Sequence, residues 1–166
     1  MAADPFIIAN LVTQGIALTG GRRESDIRQM VKRQLILASE FYVSEVKLKT
    51  PVGATNYLRD SWDYGYSDQE QTSTIAPRAE YAIPVELGRK AAPVPIEPLT
   101  LWVRRKLGVS DAKQARGIAF AISRKKRTTP TPGQNFASET FAAVLPAINS
   151  NFIAPIGALV VRALGG

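Results

Sequence analysis

The sequence offers few residues for acid–base, thiol or metal chemistry. Among its 166 residues there is no histidine and no cysteine. Histidine is the usual general base and the commonest metal ligand, while cysteine supplies thiolates and disulfides. No glycine-rich phosphate loop precedes a helix, and no acidic cluster has the spacing of metal ligands. We therefore expect no catalytic residue, no metal and no cofactor.

One pair of carboxylates is close enough in sequence to suggest acid–base work. Asp60 and Asp63 are three residues apart. The segment that holds Asp63, however, alternates aromatic and polar residues, with Trp62 before it and Tyr64 after it. This alternation is typical of a strand with one covered face. We expect both carboxylates on the solvent-exposed face, and the chain not to be an enzyme.

Positive charge is concentrated in one segment. Between Leu101 and Arg127 there are nine basic residues and one acidic residue, Asp111, which gives +8 where the whole chain has +7. Such a concentration is typical of a surface that meets an anion. The candidate contact residues are Arg104, Arg105, Lys106, Arg124, Lys125, Lys126 and Arg127. Three interpretations stay open: contact with DNA phosphates, contact with an acidic neighbouring protein, or a solvated surface stabilised near the end of a helix.

Length and composition indicate a single globular domain, with 45% hydrophobic residues. We place that domain at residues 23–166, after an apolar arm or short helix at 1–22. The first 18 residues lack a basic leader and contain Asp4, so we expect no secretion signal. The apolar run from Phe152 to Val161 is interrupted by Pro155 and is too short to span a bilayer. We therefore expect no contact with a membrane.

Hydrophobic periodicity predicts an α+β fold. Apolar residues at three- and four-residue steps predict a long helix that is capped by Ser25 and runs to near Lys47. A turn at 56–60 and a β-hairpin at 62–76 follow, with a covered aromatic face. A short helix at 80–87 should end at Gly88. Residues 91–98 should be extended, followed by helices at 99–107 and from a Ser110 cap to 127, and a terminal helix from Asn135 that Pro146 and Pro155 kink or divide.

Four motifs, in this order, resemble the tail-completion or head–tail joining proteins of tailed double-stranded DNA bacteriophages. The long first helix runs into Thr50-Pro51-Val52-Gly53. Leu58-Arg59-Asp60-Ser61-Trp62 leads into the hairpin, as a Leu-Arg-x-Ser step does in the family. Tyr81-Ala82-x-x-Val85-Glu86-x-Gly88 resembles the family's Tyr-Ala-x-x-Val-Glu-x-Gly box. Pro132-Gly133-x-x-Phe136 resembles the Pro-x-Phe segment that opens the last helix.

This resemblance covers about residues 25–150 and implies a structural role. It implies assembly as a ring in the neck of the virion, of six copies to match the tail symmetry or of twelve beside the portal. The implied partners are other copies, the portal-side adaptor or stopper proteins, and the tail terminator or tube. Genomic DNA in the channel is a further partner for the basic segment. Within a ring, Tyr81, Val85, Glu86 and Phe136 are the candidate subunit interface.

Two features depart from the family's pattern. Arg89 follows Gly88 where the family usually has threonine, and a basic helical insertion occupies about residues 93–127. These two departures leave open which position the ring occupies in the neck. A tail terminator that caps the tube and a free, non-specific DNA-binding protein are the two alternatives. For the box, Tyr81 and Val85 could instead cap the hairpin within one chain, with Glu86 solvated.

Overall fold

The structure, a computed structural model, describes residues 22–164. Its elements confirm the predicted α+β class, with a long first helix, a small antiparallel hairpin and C-terminal helices. In chain order they are α1 Arg22–Lys49, α2 Tyr57–Asp60, β1 Trp62–Ser67, β2 Thr72–Pro77, α3 Ala82–Glu86, β3 Gly88–Arg89, α4 Ile96–Lys106, α5 Ala112–Lys126, β4 Thr131–Pro132, α6 Phe136–Ile148 and α7 Ala154–Leu164. A π-helical turn, Asn149–Ile153, joins α6 to α7.

The described chain divides into two compact units. The first comprises residues 22–50, 61–78 and 136–164, and the second comprises 51–60 and 79–135. The predicted insertion at 93–127 therefore lies inside the second unit. The apolar arm predicted at residues 1–22 lies, apart from its last residue, outside the described residues.

Helix α1 organises the first unit. Ile27, Val31 and Leu35, spaced by four residues, are buried and pack with Ile156 of α7. The helix was predicted from Ser25 but begins at Arg22, so Ser25 lies inside the first turns and is not the N-cap. Helical geometry extends upstream because none of the residues from Arg22 to Ser25 is a glycine or proline that would stop it.

The hairpin lays its aromatic face on α1, as the alternation predicts. Strands β1 and β2 pair antiparallel from Trp62 opposite Pro77 to Ser67 opposite Thr72. Trp62 is buried and donates its indole N–H to the Thr50 hydroxyl at 2.9 Å. The Tyr64 hydroxyl donates to Glu40 of α1 at 2.8 Å, which raises the pKa of Tyr64. The covered face leaves no flat aromatic platform for stacking nucleic-acid bases.

The terminal helix is divided, as its two prolines predict. Pro155 has no N–H to donate, and the π-helical turn before it absorbs the interruption. The stretch Phe136–Ala158 is long and apolar enough, by length and composition, to cross a membrane. Within the first unit, however, Phe136, Thr140, Val144 and Ile148 form a buried stripe of α6, and α6 packs on α1. One stripe of α6 is therefore part of the core, although only 17% of the apolar window is buried.

The second unit contains a helical hairpin of α4 and α5. Val103 of α4 packs with Ala115 and Ala119 of α5, all fully buried. Helix α4 begins at Ile96, so residues 96–98 are helical where an extended segment was predicted. Pro98 is accommodated because the N–H groups of a first helical turn have no partner within the helix.

Two further predictions in this unit are corrected. Asp111, not Ser110, caps α5, because its carboxylate accepts the Gln114 backbone N–H at 2.7 Å. Residues 131–132, which lie between two predicted helices and for which no strand was predicted, form strand β4, which pairs antiparallel with β3. Gly108 follows the end of α4 in the left-handed conformation, at φ +68°.

Candidate functional site

The box that begins at Tyr81 forms the short helix α3 and its flanks. Ala82 and Glu86 are one helical turn apart and both point inward, so Glu86 is only 3% exposed. The solvated position considered for Glu86 is therefore corrected. Its carboxylate lies inside the chain and is not offered to a partner at the surface.

The outward side of the same helix carries an apolar surface. Ile83 and Leu87, again one turn apart, are exposed, and Tyr81 is 44% exposed. The Tyr81 ring stacks at a tilt on Tyr57, with 6.3 Å between centroids, and Tyr57 is 52% exposed. We call Tyr57, Tyr81, Ile83 and Leu87 the box surface. Four exposed apolar side chains from two neighbouring segments are typical of a protein–protein contact.

Backbone pairing brings the third and fourth sequence motifs together. Gln134 donates its N–H to the Val85 carbonyl at 3.0 Å, and Asn135 donates to the Glu86 carbonyl at 3.1 Å. Gly88, at φ +83°, pairs opposite Pro132. A β-carbon on Gly88 would lie 2.6 Å from the Gly133 nitrogen. Both glycines are required because the two backbones approach too closely for a side chain.

Phe136, the last candidate interface residue, is buried in the first unit. It is 5% exposed, and its ring meets Trp62 edge-on at 6.3 Å. Tyr42 completes this aromatic cluster, edge-on to Trp62 at 6.3 Å and to Phe141 at 5.8 Å. Of the four candidate interface residues, Tyr81 is exposed, Val85 is half-buried, and Glu86 and Phe136 are inside the chain.

The seven candidate basic residues form two groups, not one. Arg104, Arg105 and Lys106 end α4, next to the turn into α5, and Arg104 lines the same depression as Ala112 of the first turn of α5. Residues 124–127 end α5, whose 15 residues rise about 22 Å. We call these the turn-end group and the open-end group. A single compact patch of seven cations is not formed.

The extended segment before α4 secures the open end of the hairpin. Ser123 of α5 donates to the Val94 carbonyl at 2.7 Å and accepts the Val94 N–H at 3.2 Å. Arg89, the departure from the family's threonine, donates to the Ala92 carbonyl at 2.7 Å. Arg89 and Lys90 thus lie near the open-end group, although neither was a candidate contact residue. Arg89 has a clear structural role in holding the turn.

Helix α5 also carries a basic stripe that the sequence analysis missed. Its members recur at intervals of three, four, four and three residues, and all are exposed: Lys113, Arg116, Phe120, Arg124 and Arg127. We call them the α5 stripe. The three- and four-residue spacing of these side chains could have identified the stripe from the sequence, because residues so spaced share one helix face. The contiguous run 124–127 is the more obvious charge pattern and was chosen instead. Only two of its four cations belong to that run.

The two candidate carboxylates are surface groups held by arginines. Asp60 accepts from Arg59 at 2.9 Å, and Asp63 forms an ion pair with Arg78. The Tyr64 backbone N–H, together with Arg78, lowers the pKa of Asp63. Among residues 22–164, no group of three or more acidic side chains could hold a metal ion.

Comparison with known protein families finds a match in the first part of the chain. A family described as "Bacteriophage HK97-gp10, putative tail-component" matches residues 21–88, from α1 through the box to Gly88. The Pro132–Phe136 motif and the basic helical hairpin lie beyond the matched residues. No curated protein and no solved structure matches the chain. Over residues 21–88 the sequence is similar to this family of putative bacteriophage tail components, which agrees with the resemblance inferred from its motifs.

Proposed function

We propose that this chain is a non-enzymatic structural subunit of the phage neck. In this role it forms a ring around the DNA channel that joins or completes the head–tail interface. The family of tail components supports the virion role. The box surface is the observation that carries the proposal, because exposed tyrosines beside aliphatic side chains are the usual centres of protein interfaces.

A ring requires one surface of each copy to meet a different surface of the next. Such head-to-tail contacts close only when the rotation between copies returns to its start. We propose the box surface as one half of this contact and a ring of six copies, or of twelve beside the portal. The other partners are the adaptor or stopper proteins on the portal side and the tail terminator or tube. Assembly would follow synthesis in the host cytoplasm.

The basic hairpin is the natural candidate for contact with the genome. The second unit holds 12 basic and five acidic side chains, a net charge of +7 that equals that of the whole chain. Phosphates would be attracted without any reading of sequence. A variant with all four residues of the open-end group changed to serine tests this contact. Fewer DNA-filled, infectious particles are expected, and unchanged packaging and infectivity would exclude the open-end group from it.

Particles made without the protein test the proposed role. Negative-stain images should show full heads beside finished but unattached tails. Overlong tails would instead identify the chain as the tail terminator that caps the tube. Normal, infectious particles would contradict both roles.

The same concentration of charge supports a second candidate, a free protein that binds DNA non-specifically. That function requires the purified chain to bind a 20-base-pair duplex with an affinity that falls steeply as salt rises. It also requires the chain to be absent from purified particles. Presence in particles at a fixed copy number would exclude the free DNA-binding role.

A further inference from the structure

The α5 stripe is a continuous strip on one helix face. With about 100° between successive residues, its five members fall within an arc of about 80° and extend over about 21 Å. The buried Ala115, Ala119 and Ser123 lie on a neighbouring face of α5, centred about 100° from the stripe. The stripe therefore borders the core of the helical hairpin, and all five of its members are exposed.

The stripe combines unpaired charge with an exposed aromatic ring. None of its four cations forms an ion pair with a carboxylate of the described residues. Phe120 lies at the centre and is 63% exposed. Beside Arg116 an open depression of about 360 Å³ runs between α4 and α5. Its lining includes the apolar Ile96 and Leu101 and a single carboxylate, Glu97.

Phe120 favours a protein over duplex DNA as the occupant. Contacts to a DNA backbone come from cations and hydrogen-bonding groups, and a phenyl ring has no role among phosphates. Protein interfaces, in contrast, combine aromatic side chains with arginines at their centres. The adjoining apolar depression adds a place for a partner's side chain.

Charge argues against a second copy of this chain. The second unit is strongly basic, and the rest of the chain has equal numbers of basic and acidic side chains, nine of each. Neither presents a net negative charge. Complementary potentials across an interface require an acidic surface opposite the stripe.

We propose that the α5 stripe docks an acidic segment of a different protein of the particle. Phe120 contacts apolar side chains of that segment, and Lys113, Arg116, Arg124 and Arg127 pair with carboxylates around it. Arg124 and Arg127 are then engaged by the protein partner, which leaves Lys125, Lys126 and the turn-end group for contact with the genome. The inference rests on the proposed function, since it takes the partner from the same particle. It adds a second interface, separate from the box surface.

A photo-crosslinker at the centre of the stripe tests the proposal. Phe120 is replaced by p-benzoylphenylalanine, particles are purified and irradiated, and the crosslinked segment is identified by mass spectrometry. A different virion protein, joined through a segment of net negative charge, is the expected result. Crosslinks to DNA, to another copy of this chain, to a segment without net negative charge, or to nothing would overturn the proposal.

A pair of charge-matched variants separates the stripe from general charge. The double variant Arg116→Ser with Arg124→Ser removes two stripe cations, and Lys49→Ser with Lys90→Ser removes two exposed cations that belong to no proposed contact. Incorporation into particles should fall by about tenfold or more in the stripe variant alone. Thermal unfolding of both variants checks that each folds. Equal incorporation of two folded variants would overturn the inference.

The two proposals fail in different ways. If the wild-type chain is absent from purified particles, the neck role is wrong and the docking inference falls with it. If the chain is present but the stripe gives no acidic crosslink, only the docking inference is wrong.

Discussion

Gly133 shows how a single residue joins two distant motifs. A β-carbon there would lie 2.6 Å from the Leu87 carbonyl carbon and 2.9 Å from the Gly88 nitrogen, and closer still to the Glu86 carbonyl oxygen. All three neighbours are backbone atoms, which cannot rotate away. The turn that positions the box therefore depends on the absence of a side chain.

We expect Gly133→Ala to lower the free energy of unfolding by about 1–3 kcal/mol, because the added methyl group forces the two backbones apart. Gly117→Ala is the matched control. Gly117 lies in α5 with open space around its α-carbon, so alanine should stabilise the helix by about 1 kcal/mol. Urea unfolding of both variants measures the difference. Equal effects from the two substitutions would contradict the close approach.

Asp63 links stability to pH at the edge of the hairpin. The Tyr64 backbone N–H, and then Arg78, favour its ionised form and lower its pKa from the ordinary value of 3.8. A carboxyl whose pKa is lower in the folded state stabilises the fold above its unfolded pKa. That contribution is lost as pH falls through the folded pKa.

The wild-type free energy of unfolding should therefore fall more steeply below about pH 4 than that of Asp63→Asn. At neutral pH the variant should be the less stable protein, and the difference should shrink in acid. Arg78→Gln should retain part of the acid dependence because the Tyr64 N–H remains. Parallel pH profiles for the wild type and Asp63→Asn would show that this carboxyl does not contribute.

At the scale of elements, the α4–α5 hairpin depends on small residues. Ala115 and Ala119 are fully buried against Val103, and their methyl groups allow the two helices to approach closely. The turn-end and open-end groups, and the stripe, are positioned by this packing. The partner contacts proposed for them therefore depend on the hairpin being intact.

Ala119→Leu should destabilise the protein by about 1–3 kcal/mol, since three extra carbons must enter a filled contact. Ala121→Leu, two residues away on the exposed side of the same helix, should change stability by no more than about 0.5 kcal/mol. Denaturant unfolding of the two variants compares the faces directly. A similar cost at both positions would mean that the α4–α5 contact is not well packed.

At the scale of the whole molecule, apolar and charged surfaces are separated within the second unit. The box surface is apolar, whereas the helical hairpin carries most of the unit's positive charge. In the proposed ring, the box surface would meet another copy and the basic hairpin would be left for other neighbours. A neck ring needs this separation, because its subunits must contact both one another and different neighbours.

Tyr81→Arg should prevent assembly, because it places a charge at the centre of the proposed contact between copies. Light scattering after size exclusion should find the wild type at six, or twelve, times the 18.0 kDa of one chain and the variant at one. Leu48→Arg, at an exposed position of α1 outside the box surface, is the control and should assemble normally. A monomeric wild type at every concentration would contradict self-assembly through this surface.

The sequence alone determined the elements whose pattern is local. Four-residue apolar steps identified α1, and aromatic alternation identified β1, because each pattern reports which side of its own element is covered. The prolines predicted the division of the last helix for an equally local reason. The ordered motifs also indicated a resemblance to phage tail proteins, and the family match over residues 21–88 agrees with it.

Only the tertiary structure decided what distant residues do together. It buried Glu86, paired β3 with β4, and moved the helix cap from Ser110 to Asp111. It also separated seven basic residues into two groups and aligned Lys113, Arg116 and Phe120 with two of them. The physical reason is that the side-chain pattern shows which face of a helix or strand is apolar. Burial and strand pairing depend in addition on which other element packs against that face.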